Sequence, residues 1–130
     1  MSKIKTIILT VLALSAGFMF TGCNVQYEDT TAERYVNGYA KSASTNAGIK
    51  NIIVYIKNTT DSNIYTDVML TNSNGYFEFP SVPNGSYEIT LIDIDGSNNG
   101  GEFKNKTTAA AINNCYYECG DILMELKSNN

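Results

Sequence analysis

Four oxygen-bearing side chains, Asp93, Asp95, Asn98 and Glu102, fall in one short stretch that also holds Gly96, Gly100 and Gly101. A hard Ca²⁺ ion takes six to eight oxygens from a loop flexible enough to wrap it, which makes the stretch a candidate cation site. The spacing is not that of an EF-hand, because Gly96 directly follows Asp95 and no third acid precedes it. The competing reading is a connection between strands whose Asx side chains cap their own backbone. Cys115 and Cys119 form a C-x3-C pair. Four Zn²⁺ ligands cannot be assembled from them, since there is neither a second pair nor a histidine. The C-x2-C spacing of dithiol oxidoreductases is absent too. A local disulfide closing a tight loop is expected, with a small loop-entropy gain; two reduced thiols, one of them buried, is the alternative.

What is missing narrows the chemistry further. The chain has no histidine and no tryptophan, which removes imidazole as a base, a metal ligand or an activator of a nucleophile. Glu78, Glu88, Glu118 and Glu125 are carboxylates that a glycosidase could pair, but alternating strand positions with no cleft around them read as solvated. An enzyme is therefore not expected. The formal charge of −4 would repel a phosphate backbone, so nucleic acid is not an expected partner. The tyrosines Tyr35, Tyr39, Tyr55, Tyr65, Tyr76, Tyr116 and Tyr117, with many asparagines, could bind a glycan by stacking and hydrogen bonding.

Cys23 stands apart from the other two cysteines. Lys3 and Lys5 precede an apolar run over residues 6–20, and Phe20-Thr21-Gly22-Cys23 follows. A mostly apolar run of fifteen residues falls short of the roughly 20 that a membrane-crossing helix needs and matches a secretory signal. Small residues just before a cysteine resemble a bacterial lipobox, with Phe20 where leucine is usual. That implies cleavage after Gly22 and diacylation of Cys23, an anchor (palmitate included) strong enough for stable membrane attachment. The organisation expected is a signal peptide over 1–22, a polar tether over 23–32 and one domain over 33–127. Without the signal the chain carries seven basic and thirteen acidic residues, a formal charge of −6. Such an exported chain is expected on the cell membrane or outer membrane, facing away from the cytoplasm.

The elements that must position these residues repeat with period two. Ile52, Val54 and Ile56 alternate with Ile53, Tyr55 and Lys57, and Phe77 and Phe79 with Tyr76 and Glu78. Residues 87–91 repeat the device, and near the C-terminus Ile122, Met124 and Leu126 alternate with Leu123, Glu125 and Lys127. Weaker runs cover 35–40 and 64–70, with a further candidate strand near 103–111. The one helix-compatible stretch, 107–112, is too short to assign. Asn74-Gly75 and Asn84-Gly85 supply the positive-φ pairs of tight turns. Short strands separated by such turns predict a β-sandwich.

Four segments then carry a family resemblance: Val36-Asn37-Gly38, Gly48 to Val54, Thr71 to Phe79 with Gly75, Phe77 and Phe79, and Pro83-Asn84-Gly85-Ser86-Tyr87-Glu88-Ile89. In order, they resemble the carboxypeptidase regulatory-like domain, which implies an all-β, seven-stranded, prealbumin-like (Ig-like) sandwich. The run from Asp93 to Phe103 is similar to that of small lipoproteins encoded beside radical SAM enzymes. That similarity implies a substrate or accessory of a radical SAM maturation enzyme, with Cys115, Cys119 or a nearby tyrosine as targets. The Lys–Asn cross-links of related adhesin sandwiches are not expected, because the E-T-x-A-P-x-G-Y segment that marks them is missing. The residues themselves favour a lipid-anchored, non-enzymatic envelope module with a structural role, or one that binds a protein or glycan.

Overall fold

The computed structural model describes residues 34–128; the expected signal peptide, Cys23 and the expected tether lie outside them. Alternation decides each strand's buried face. In β2 (Ile52–Asn58) the inward positions are Ile52, Val54, Ile56 and Asn58, and in β5 (Gly85–Asp93) they include Tyr87, Ile89 and Leu91. β1 (Val36–Ser42), β3 (Thr66–Leu70), β4 (Tyr76–Phe79), β6 (Lys106–Ile112) and β7 (Tyr117–Met124) complete the seven. They form two sheets, β4-β1-β7 and β3-β2-β5-β6, which close over one core as a prealbumin-like sandwich. All pairings are antiparallel except β1 with β7, which run parallel.

The helix-compatible stretch is strand. Residues 107–112 sit in β6, which pairs with β5 from Gly85↔Ile112 to Leu91↔Lys106. Three alanines favour a helix only weakly, and a ladder to a buried central strand outweighs that preference. Leu126 departs from the expected alternation as well. It is exposed and makes an isolated bridge to Phe103, beyond the end of β7.

A bulge sets the phase of β7. Asn37 opposes Glu118 while Tyr39 opposes Asp121, so Cys119 and Gly120 together face Gly38. Gly120 takes φ +68°, the left-handed geometry of a glycine-containing bulge. The extra residue lets Tyr117 and Cys119 lean on the core before it, and Ile122 and Met124 bury after it.

Two buried polar groups hold the crossings. Thr71 is 3% exposed; its hydroxyl donates to the Ile49 carbonyl at 2.6 Å and accepts from the Ile52 N–H at 2.9 Å. This pins the turn at Asn51 (φ +62°) against the end of β3. Tyr87, at the centre of the core, donates its hydroxyl to the Pro83 carbonyl at 2.7 Å. Gly48 is required by contact: a Cβ there would stand 2.1 Å from the Asn74 carbonyl oxygen.

Candidate functional site

The four residues of the 93–102 stretch are each taken up by hydrogen bonds or an ion pair. Asp93 accepts through Oδ1 from the Asp95 N–H at 3.1 Å and through Oδ2 from the Phe103 N–H at 3.0 Å. Burial pushes its carboxyl above the usual range, against the pull of the Phe103 N–H. The Asn98 side chain donates to the Asp95 carbonyl, and Asn99 donates to the Asp95 carboxylate. Glu102 accepts from Lys127 at 2.7 Å. Among the described residues, no three His, Cys, Asp or Glu side chains converge as a metal ion would need. Geometry favours the self-capped connection.

The expected Cys115–Cys119 bridge is not formed. Cys119 carries a free thiol, and Cys115 is fully buried and is not itself a free thiol. Cys119 lies on β7, where its side chain leans on the core, and Cys115 lies in the bend before that strand begins. Burial pushes the Cys119 thiol up to about 12, so almost no nucleophilic thiolate is present at neutral pH. Of these two targets implied by the radical SAM resemblance, Cys115 is fully buried and Cys119 is half-buried.

The tyrosines divide among three environments. Tyr65 packs edge-on against Tyr87 at 5.9 Å, and burial, then Asp67, raises its hydroxyl to about 12. Tyr117 leans on the core, where burial raises its hydroxyl above the usual value. Tyr55 lies on the outer face of the four-stranded sheet, between Val68 and Thr90 in register. The other four gather on the outer face of the three-stranded sheet. Val36, Gly38 and Ala40 of β1 point inward, which leaves Asn37, Tyr39 and Lys41 outward, with Tyr35 one step before them. Register brings Tyr76 opposite Tyr39, and Glu78 opposite Asn37.

This face is ordered by its own contacts. Tyr39 and Tyr76 meet with ring centroids 5.2 Å apart at 57°; Tyr35 and Tyr116 stack at 4.9 Å and 3°. Asn37 Nδ2 donates to the Tyr76 hydroxyl at 3.3 Å, and that hydroxyl donates to Glu78 Oε1 at 2.8 Å. Burial, then the bond to Glu78, raises the Tyr76 hydroxyl, so it stays a donor. Lys41 reaches Asp121 at 3.1 Å across the parallel pair and lies 5.6 Å over the Tyr39 ring. Tyr39 remains 38% exposed. Rings beside fixed donors and acceptors can stack on a ligand's apolar face and hydrogen-bond its rim. Of the carboxylates doubted as a catalytic pair, Glu78 and Glu118 share this open face, and Glu88 faces Lys57 at 4.0 Å on the other sheet. Asn37, Lys41 and Asp121 are the members that sequence patterning did not single out. Period two marks the first two as neighbours of Tyr39, but only the bulge turns Asp121 outward.

No family model matches the chain, and no curated protein matches its sequence. Solved structures do share its fold. The C-terminal domain of the shaft pilin SpaA from Lactobacillus rhamnosus GG superposes with TM-score 0.56 at 12% identity, covering 73% of this chain and 98% of that one. The pilus 2b backbone protein of group B streptococcus gives 0.56 at 10% identity, over 73% of this chain and 42% of that one. The 5-hydroxyisourate hydrolase of Klebsiella pneumoniae gives 0.53 at 15% identity, over 73% and 92%. Against the longer SpaA shaft pilin structures the chain spans about half of their length.

Proposed function

We propose that this protein is a non-enzymatic structural module of the bacterial cell envelope, held to the membrane by a lipid on Cys23. The observation that carries the reading is the match to nearly the whole of a pilin shaft domain, two sheets over a continuous core. The hydrolase of the same fold is the contrary case. Against it, the chain has no histidine, the free thiol of the described region is half-buried with its proton held by burial, and Glu78, Glu88 and Glu118 lie on open sheet faces. Export and anchoring rest on the lipobox-like Thr21-Gly22-Cys23 and on the polar stretch after it, long enough to hold a folded domain clear of the lipid.

Fractionation of cells making the Cys23→Ala variant tests the anchor. The variant is expected in the soluble fraction with an unchanged melting temperature, since the lipid would sit outside the core. Palmitate labelling or membrane retention that survives the substitution would refute it.

A further inference from the structure

The outer face of the three-stranded sheet offers more chemistry than a structural module uses. We propose that it binds an uncharged polysaccharide strand, laid along β1 across Tyr35, Asn37 and Tyr39. The envelope placement proposed above says only where such a ligand would be met; recognition rests on the face itself.

Three properties of the face lead there. First, it carries aromatic rings at two stations, the Tyr35–Tyr116 stack and the Tyr39–Tyr76 pair. Tyr35, just before β1, and Tyr39 within it are four residues apart, about 13 Å at the rise of an extended strand. That suits an extended chain with repeated ring units better than a small molecule, which would be largely enclosed. Second, the polar groups between the stations are already aligned. Asn37 lies between Tyr35 and Tyr39, and the bonds from Asn37 to Tyr76 and from Tyr76 to Glu78 hold ring and carboxylate in place. Fixed side chains lose little freedom on binding. A sugar presents a C–H face and a rim of hydroxyls, and this surface presents partners for both. Third, the charge chooses the polymer. Glu78, Glu118 and Asp121 lie on this face in register with β1, where Lys41 pairs with Asp121 and Glu78 bonds to the neutral Tyr76 hydroxyl, so the face stays acidic. Such a surface repels polyanions.

The same charges argue against a protein partner, because the centres of protein interfaces are depleted in charged residues. The opposite sheet differs in kind. There Leu70, Ile53 and Ile92 line up in register as an aliphatic row without fixed polar partners.

Co-sedimentation of the full lipidated chain in detergent with insoluble cellulose, xylan or chitin tests the proposal, with polygalacturonate as the anionic comparison. At least one of the three neutral polymers should deplete the protein, and polygalacturonate should not. Tyr39→Ala with Tyr76→Ala should weaken the binding at least tenfold, the loss typical of removing an anchoring aromatic residue. Tyr55→Ala, on the other sheet, should bind as the parent does. Thermal melting checks that the double variant folds, and Tyr39→Ala alone serves if it does not. No depletion by any neutral polymer, preference for polygalacturonate, or undiminished binding by the folded tyrosine variant would overturn the proposal. Each of these would leave membrane association, and so the anchoring reading, untouched.

Discussion

Replacing Thr71 by valine changes one oxygen into a methyl and keeps the side chain's shape. The consequence follows from the two bonds that the hydroxyl makes. The Ile52 N–H and the Ile49 carbonyl would both lose their partner in a site closed to water. An unsatisfied buried backbone group costs about 1–3 kcal/mol, and the added methyl recovers something under about 1 kcal/mol of burial. The expected net loss is about 2–4 kcal/mol. In a domain of this size 1 kcal/mol moves the melting temperature by about 4–8 °C, so Thr71→Val should melt about 8–32 °C lower. Thr71→Ser keeps both bonds and gives up one methyl, for about 1 kcal/mol. Thermal melting followed by circular dichroism ranks the three proteins, and amide exchange at Ile52 should speed up in the valine variant alone. If valine is as stable as serine, the hydroxyl does not hold the turn at Asn51 and the reasoning fails.

Tyr87→Phe should cost about 1 kcal/mol, the worth of one hydrogen bond to the Pro83 carbonyl, read as a drop in urea midpoint with an unchanged slope. An unchanged midpoint would show that this bond contributes nothing. The raised Cys119 thiol binds its proton in the folded protein over a range where the unfolded chain has lost it, so stability should fall as pH rises from about 9 to about 12. Cys119→Ala should flatten that region of the profile, by up to about 1.4 kcal/mol per pH unit, and the native thiol should react with a disulfide reagent only on unfolding. Ca²⁺ titrated into the tens of millimolar should leave the melting temperature where Mg²⁺ does, because the carboxylates near the 93–102 loop already cap backbone or pair with Lys127. A selective rise of several degrees would show a cation site.

The sandwich was largely legible because its strands alternate cleanly and its turns carry Asn-Gly pairs. Ile52, Val54 and Ile56 declare a buried face by themselves. The polar face on β1 was legible only incompletely. Tyr35, Asn37, Tyr39 and Lys41 share a side by period two, but that Tyr76 completes the pair with Tyr39 depends on β1 pairing with β4, a contact made across 37 residues of chain. Asp121 was hidden for a local reason. A bulge shifts the phase by one residue, and a glycine in a strand does not announce whether it makes one. The cysteines misled because a spacing of four suggests one shared loop, whereas Cys119 belongs to β7, which begins two residues after Cys115.

The parallel pairing of β1 with β7 has a mechanical consequence. Val36 lies beside Tyr117 at one end of the pair and Ser42 beside Met124 at the other. The chain therefore enters β1 at one end of the ladder and leaves β7 at the opposite end. Tension drawn between the chain before Val36 and anything held beyond Met124 pulls the two strands lengthwise past each other. Every rung is then loaded at once, whereas antiparallel terminal strands would unzip rung by rung from a single end. Under such a pull the lifetime of the fold is set by its unfolding rate rather than its equilibrium stability. A module so strung would carry sustained load along its axis, with the Lys41–Asp121 bridge lying across the line of shear.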